Sequence, residues 1–345
     1  MNALLAPLAG FAPLAAFAGL WLVVALLVPL AAAGLWPVLA RHLRARSPET
    51  RARIAGLAAA APLLVPTGVV LLCALPGWLG ALTGAGDHCT GHGAHPHFCP
   101  VHATLAMTAP LAAALLAFGA VFALHASRAL AACIALTRER RWLRHRLERS
   151  LSPNVHVLGN EVPIALTRGL FAPEIWIAQR LLDALEPADR AVVLAHEQAH
   201  AARRDPARFL AADLASRLHL PRTRRAILGT LRLAAEQACD ARAGEQVGDR
   251  LQVATTLLRV ERLMQRRPIT DAHAAALHGA SLPARIEALV AAPFPAPESP
   301  GSRLRLAWPW LAAAGALVLA RPIHHLAEHA LEALLRSMVG LSLLS

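Results

Sequence analysis

Residues 190–200 read RAVVLAHEQAH, an H-E-x-x-H motif inside an apolar stretch with helical spacing. Four residues correspond to about one helical turn, so His196 and His200 project from one face and can share a metal ion. Glu197 lies beside them, where it can take a proton from an attacking water and return it later. Two imidazoles and a carboxylate are a ligand set typical of catalytic zinc. The motif therefore predicts one Zn²⁺, with Glu197 as the catalytic base.

The third metal ligand is expected on a neighbouring helix. Glu236 and Asp240, in LAAEQACD (233–240), are four residues apart and share a helical face. One can bind the metal while the other accepts a hydrogen bond from the free nitrogen of a ligating histidine, and we favour Glu236 as the ligand. Alternatively, the pair is solvated and Arg232 bridges to Glu236. Asp205 is a further candidate partner for a histidine, and the weaker candidates for the ligand are Asp205, Asp213 and Glu245.

The composition indicates a membrane protein. Hydrophobic residues make up 56% of the 345 residues and charged residues only 16%, so part of the apolar surface must contact a lipid bilayer. The net charge of +12 would suggest binding to nucleic acid if it were spread over the surface of a soluble domain. Here the arginines cluster at the edges of apolar runs, so direct binding of nucleic acid is not expected.

Three apolar runs at about 14–39, 54–82 and 103–125 are long enough to span a bilayer. Arginines cluster at 41–53 and 138–149, whereas the connecting loop 83–102 contains none. The positive-inside rule then places both clusters in the cytoplasm and the loop and N-terminus outside. We therefore expect a multi-pass protein of the cytoplasmic (inner) membrane, with residues 1–137 forming its membrane part.

Residues 138–291 read as a cytoplasmic domain of mixed helix and short sheet. A β-hairpin is predicted from 155–158 and 162–167 around Gly159-Asn160, and a third strand at 174–178. Helical spacing predicts six helices, at 181–185, 190–202, 207–218, 222–247, 251–266 and 283–291. The C-terminal part then divides into a linker at 292–305, a short fourth span at 306–320, and an external tail at 321–345.

The stretches VPIALTRGLFAPEIWIAQRLLDALEPADRAVVLAHEQAHAARRDP (162–206) and AAEQACDARAG (234–244) resemble the metallopeptidase domain of the BlaR/MecR-type antibiotic-sensor family. The resemblance extends to three spans before that domain and one after it. It implies an α-helical membrane protein with a cytoplasmic α+β, zincin-like domain of the HExxH gluzincin type. It also implies Glu236 as the third zinc ligand and Asp240 as a supporting residue.

In that family the zinc domain cleaves itself or a cytoplasmic winged-helix repressor, so such a repressor is the protein substrate that the resemblance implies. The departure lies at the C-terminus, where a β-lactam sensor carries an external penicillin-binding domain with a nucleophilic serine and lysine. This sequence contains no lysine. Sensing of β-lactams by acylation is therefore not expected.

Two other functions remain open. A quality-control protease of the HtpX type also joins membrane spans to an H-E-x-x-H motif, and it would digest misfolded membrane proteins without a signal. A non-enzymatic metal-binding receptor or transporter subunit would use the motif only structurally. The intact Glu197 argues against the second alternative, because metal binding alone does not need a base at that position.

The predicted external loop is rich in metal ligands: within 87–102 it contains His88, Cys89, His92, His95, His97, Cys99 and His102. The tail adds His324, His325 and His329. One hypothesis is that these segments bind periplasmic copper or zinc and signal through the spans to the protease. Alternatively, Cys89 and Cys99 form a disulfide in an oxidising compartment. A further alternative is that the histidines only keep the loop hydrated.

If the loop senses metal, a synthetic peptide of residues 83–102 should bind Cu²⁺ or Zn²⁺ more tightly than a scrambled, histidine-poor peptide. Histidine and cysteine side chains are the ligands that these ions prefer, which is the physical reason for the difference. Isothermal titration calorimetry of the two reduced peptides measures their affinities for each ion. Equal affinities for the two peptides would end the sensing hypothesis and leave the disulfide or a solvated loop.

Overall fold

The computed structural model describes residues 10–83, 107–159, 164–265 and 282–291, and near the C-terminus 315–316, 318–320, 322–330 and 333. The chain divides into two compact units. The first comprises residues 1–31, 61–126 and 298–345, and the second comprises residues 32–60 and 127–297. The long helices Ala12–Leu43, Pro48–Thr83 and Ala109–His145 therefore each contribute residues to both units. Most of the described residues are helical.

Three helices are long and apolar enough to cross a membrane: α1 (Ala12–Leu43), α2 (Pro48–Thr83) and α3 (Ala109–His145). They cover the first two predicted spans and most of the third. At about 1.5 Å per residue, the 37 residues of α3 exceed the roughly 30 Å hydrocarbon core, and the excess is its arginine-rich end. Outside the described residues lie 84–106, with most of the external loop, the linker 292–305, and most of the predicted fourth span.

Helix α2 contains a backbone acceptor that only tertiary packing can satisfy. Pro62 lacks an N–H group, so the carbonyl of Ala58, four residues earlier, loses its usual helical donor. The Nε2 atom of His219 lies 2.9 Å from this oxygen and donates to it. His219 is buried. Both residues belong to the second compact unit, where this contact ties the start of α2 to the part of that unit that follows residue 127.

The described residues of the second unit contain a four-stranded sheet in the order β1-β2-β4-β3. Its strands are β1 (Leu147–Ser152), β2 (Val155–Leu158), β3 (Ala165–Arg168) and β4 (Glu174–Ala178). β1 and β2 are antiparallel, β2 and β4 are parallel, and β3 and β4 are antiparallel. The third predicted strand, 174–178, is confirmed as β4.

The predicted hairpin between 155–158 and 162–167 is wrong, because β4 lies between these two strands. β4 has the sequence EIWIA, and its last four residues are buried. A strand that is apolar on both faces favours a central position, with partners on both edges. The hairpin that forms instead joins β2 to β1, a polar and exposed strand whose sequence LERSLS gave no apolar pattern to predict it.

The six predicted helices are confirmed, with bounds shifted by a few residues. They are α4 (Gln179–Ala184), α5 (Pro187–Arg203), α6 (Asp205–Ala215) followed by a 3₁₀ turn (Ser216–Leu218), α7 (Pro221–Val247), α8 (Arg250–Gln265) and α9 (Leu282–Val290). Helix α5 packs on one side against the sheet and α4, through the cluster around Ile175, Ile177 and Leu181. On another side it meets α7, α8 and α9, in the cluster containing Val192, Ala243 and Val253.

The substitution His219→Gln should flatten the dependence of stability on pH. Burial lowers the pKa of His219, although its hydrogen bond to the Ala58 carbonyl raises it in part. The unfolded chain, whose histidine titrates near pH 6.5, therefore binds protons more readily than the folded chain. The contribution of His219 to stability is present above that pH and is lost as pH falls through it. Glutamine can still donate to the carbonyl, but it does not titrate.

Thermal unfolding of the detergent-purified protein between about pH 5.5 and 7.5 tests this expectation. We expect the wild-type midpoint to fall more steeply on acidification than that of the variant. Parallel curves for the two proteins would show that His219 is not buried as the neutral form.

Candidate metal and catalytic site

Helix α5 brings the two histidines of the motif together as its spacing predicts. The Nε2 atoms of His196 and His200 are 3.1 Å apart. Glu236, on α7, places one carboxylate oxygen 3.5 Å from the His196 Nε2 and the other 3.5 Å from the His200 Nε2. These three side chains form a group whose ligand atoms are close enough to hold one metal ion. The structure therefore unites the three residues expected to bind zinc, although they come from two helices.

The geometry and chemistry of this group fit zinc. A tetrahedral ion with bonds of about 2.0–2.1 Å has ligand–ligand edges of about 3.3–3.4 Å. The separations of 3.1, 3.5 and 3.5 Å lie around that value, the two longer ones being made by different oxygens of Glu236. Both histidines also present their Nε2 atoms to the common point while their Nδ1 atoms face carboxylates. This arrangement favours the tautomer whose Nε2 lone pair can bind a metal.

The two aspartates proposed as supporting residues lie on the Nδ1 side of the histidines. Asp240 Oδ1 is 2.9 Å from the His196 Nδ1, and Asp205 Oδ2 is 2.8 Å from the His200 Nδ1. Both aspartate side chains are only 1% exposed. Asp205 reaches back to α5 because Arg204, between α5 and α6, adopts a left-handed conformation with φ of 54°. Arg204 is both the C-cap of α5 and the N-cap of α6, so the chain turns sharply between the two helices.

Arg285, on α9, was not predicted to belong to the site. Its guanidinium donates to both oxygens of Asp240, at 2.8 and 2.7 Å, and lies 3.0 Å from a carboxylate oxygen of Glu236. Burial would raise the pKa of Glu236, but its contacts with the two histidines and with Arg285 hold it well below the usual value. Burial would likewise raise the pKa of Asp240, but its contacts with Arg285 and His196 together hold it below the usual value. Both carboxylates therefore stay ionised at neutral pH.

Thr167 is a second residue that sequence reasoning missed. It lies on β3, and its hydroxyl is 2.7 Å from the Glu197 Oε2 and 3.0 Å from the Glu197 carbonyl oxygen. Thr167 and Glu197 are both buried. One hydroxyl hydrogen serves these two acceptors, so Thr167 can orient the proposed base without accepting its proton. No spacing rule links a strand residue to a helix residue thirty positions away, so the sequence held no signal for this contact.

A cavity of about 370 Å³ opens beside these residues. His196, Glu197, His200 and Glu236 line it together with Thr167 and Arg285. Much of the remaining wall is apolar and comes from β3, α5 and α8, with side chains that include Leu166, Val193, Val260 and Met264. Polar groups that converge at one side of a largely apolar cavity are typical of a binding site.

The weaker candidates for the third ligand lie elsewhere or serve other contacts. Asp213 pairs with Arg217 and Arg224, and Glu245 is exposed. Cys239, near Asp205, has its pKa raised to about 11 by burial. Cys239 is therefore a neutral thiol at physiological pH, and its sulfur lies 3.7 Å from an oxygen of Asp205.

The structure does not test the predicted external metal ligands. His88, Cys89, His92, His95, His97, Cys99 and His102 all lie outside the described residues. Of the tail histidines, His324 is buried in the first unit, with Nδ1 2.8 Å from the Cys73 carbonyl oxygen and Nε2 2.8 Å from a Glu328 oxygen. External metal binding stays a prediction.

Residues 134–267 match the model of the family described as peptidase family M48. The matched segment begins in α3 and ends just after α8, so it includes the sheet, the H-E-x-x-H helix and Glu236. No curated protein and no solved structure gave a match. The chain therefore carries an M48 peptidase domain, which implies a metallopeptidase, together with helices long enough to cross a membrane. The match does not distinguish the BlaR/MecR type from the HtpX type.

Asp240→Asn should weaken zinc binding about 10–100-fold, as expected when the carboxylate beside a metal-binding histidine loses its charge. The neutral amide no longer attracts the Nδ1 proton of His196, so the ring is a weaker ligand and is less firmly oriented. Competition with a chelating dye measures the affinity. Asp183→Asn, at an exposed aspartate on α4, is the matched control. Equal zinc affinity in the two variants would refute the role of Asp240.

Proposed function

We propose that this protein is a membrane-anchored zinc metalloendopeptidase. The observation that carries the proposal is that the Nε2 atoms of His196 and His200, 3.1 Å apart, each lie 3.5 Å from a different carboxylate oxygen of Glu236. The M48 match over residues 134–267 supports the peptidase class independently of that geometry. The membrane anchor is supported by three helices of sufficient length and hydropathy.

Glu197 is the residue that would move protons in this reaction. His196, His200 and Glu236 would hold the zinc, which would act as a Lewis acid towards the scissile carbonyl. Glu197 takes a proton from the attacking water and returns it to the nitrogen of the leaving amine. Thr167 holds the Glu197 Oε2 atom at 2.7 Å, which fixes the carboxylate and leaves Oε1 to accept the proton.

Strand β3 offers a place for an extended peptide. β3 ends the strand order and pairs with β4 on one side, and no other described strand pairs with its second edge. Its residues Ala165–Arg168 line the cavity beside Glu197. A peptide that pairs with an exposed strand edge gains main-chain hydrogen bonds irrespective of its sequence. The apolar wall then favours an apolar side chain next to the cleaved bond.

The finer proposal is a signal-transducing protease that faces the cytoplasm and cleaves itself or a cytoplasmic winged-helix repressor. Its support is the resemblance of 162–206 and 234–244 to the BlaR/MecR-type domain and the arginine clusters that flank the spans. The M48 match is equally compatible with the HtpX-type alternative, a quality-control protease that works without a signal.

Glu197→Gln should lower cleavage by about 10²–10⁴-fold, the usual contribution of a general base, because the amide cannot take a proton. Zinc content should stay at one per chain, since Glu197 is not among the three converging ligands. Both are measured on detergent-purified protein beside Glu245→Gln, which alters an exposed glutamate on α7. Equal cleavage by the wild type and Glu197→Gln would exclude Glu197 as the base. Absence of zinc from all three proteins would refute the metal site.

The signalling and quality-control versions differ in what is cut without a stimulus. Wild type and Glu197→Gln are co-expressed with a repressor from a neighbouring gene or with a misfolded membrane protein. Cleavage of the repressor, or of the protease itself, at one site only after copper or zinc is added outside supports signalling. Constitutive digestion of the misfolded protein alone would overturn the signalling proposal in favour of quality control.

A further inference from the structure

The first turn of α2 makes ionic contact with one half of the metal-binding group. Glu49 pairs with a terminal guanidinium nitrogen of Arg203, whose side chain is only 4% exposed. The Nε atom of Arg203 lies 3.0 Å from an oxygen of Asp205, and the same oxygen is 2.8 Å from the His200 Nδ1. Three consecutive polar contacts therefore lead from α2 to one predicted zinc ligand.

The same turn reaches the other half of the group through a neutral side chain. Arg51 donates to the Gln237 side-chain oxygen, and the Gln237 amide nitrogen donates to the Ala284 carbonyl at 2.7 Å. Gln237 directly follows Glu236 on α7, and Ala284 directly precedes Arg285 on α9. Arg51 therefore helps to hold together the two helices that carry Glu236 and the arginine beside it.

Close packing holds the first turn of α2 in a defined position against α6 and α7. Ala52, Ala55 and Ala59 of α2 are 0–4% exposed and lie in one apolar cluster with residues of α6 and α7. Small side chains let helices approach closely, and packed interiors pass displacements on instead of absorbing them. The helix continues beyond residue 60 as a membrane-length segment. A shift of α2 along its axis would therefore be passed to Glu49, Arg51 and the residues of the site that they contact indirectly.

We propose that Glu49 and Arg51 are positioning residues of the metal centre, so that the position of membrane helix α2 sets zinc affinity and turnover. Glu49 acts through Arg203 and Asp205 on His200, and Arg51 acts through Gln237 on the α7–α9 contact that holds Glu236. This inference rests on the proposed function, because it concerns the same zinc site. It adds the physical route by which an event in the membrane reaches that site.

Glu49 acts on the orientation of His200 through electrostatic contacts. Asp205 is buried, and it orients His200 only if its own charge is held in place. Arg203 provides that partner, and Glu49 in turn fixes the far end of the Arg203 side chain. Arg208 offers a weaker second route, 3.9 Å from Glu49 and 3.5 Å from Asp205. Loss of Glu49 should therefore loosen His200 without removing a ligand.

The test is a double-mutant cycle on zinc affinity in the full-length, detergent-purified chain. Glu49→Gln, Arg203→Gln and the double variant are made in a Glu197→Gln background, which prevents self-cleavage, and zinc is titrated against a chelating dye. Glu49 is 53% exposed, so its substitution should leave folding intact. We expect Glu49→Gln to weaken zinc binding about fivefold, less than the 10–100-fold of a direct histidine partner. It should add little once Arg203 is replaced.

Arg53→Gln is the matched control, because Arg53 is exposed on the same turn. A second readout is the shift of the unfolding midpoint on adding zinc, which reports binding to the folded state. Glu49→Gln should reduce this shift while leaving the midpoint in chelator unchanged. A merely structural contact would lower both midpoints equally. For Arg51, the corresponding cycle uses Arg51→Gln and Gln237→Met.

Two results would overturn the inference while leaving the proposed function in place. One is equal zinc affinity in Glu49→Gln and Arg53→Gln, with one zinc bound by the parent. The other is full additivity of the Glu49→Gln and Arg203→Gln effects, since additive effects show that the residues act independently. If the parent binds no zinc, the proposed function fails and the inference fails with it.

Discussion

The carboxylates behind the two histidines impose the constraint on which the rest of the site depends. Asp240 and Asp205 approach the Nδ1 atoms to 2.9 and 2.8 Å, which turns both Nε2 atoms towards Glu236. Ionised carboxylates buried this deeply need partners of their own, and removing one member of a buried ion pair costs about 3–5 kcal/mol. Arg285 and Arg203 supply those partners, so the site requires α9 and the end of α5 as well as the motif.

Backbone geometry and small side chains bring the elements close enough for these ionic contacts to form. Ala195 and Ala199 on α5 and Ala235 and Ala238 on α7 are buried, and residues of this size let two helices that carry polar groups lie close together. The left-handed conformation of Arg204 returns the chain at once, so that Asp205 meets a histidine on the helix just completed. On the opposite side, β3 brings the Thr167 hydroxyl to Glu197. Base, metal ligands and cavity are thereby fixed by one strand and five helices: β3, α5, α6, α7, α8 and α9.

Sequence reasoning succeeded where the controlling interactions are local. The helix of the H-E-x-x-H motif and the shared face of Glu236 and Asp240 follow from a period of about 3.6 residues, which tertiary contacts do not alter. It failed for the hairpin, because strand pairing depends on which edges the sheet must satisfy, and the buried β4 took the position between β2 and β3. Arg285 was missed for a related reason: among 34 arginines, only its contacts with Glu236 and Asp240, which no sequence pattern predicts, assign it to the site.

The sequence by itself determined the three membrane-length helices, the helix that carries the motif, and the residues expected to meet at a zinc ion. Apolar run length and helical period are properties of short segments, so they can be read without knowing the fold. Only the tertiary structure decided that Arg285 and Thr167 contact this site, and that the first turn of α2 is linked to it through Arg203 and Gln237. Their contacts join residues that lie tens to hundreds of positions apart in the sequence. Such contacts form only when helices and strands pack together, so the periodicity of a short segment does not predict them.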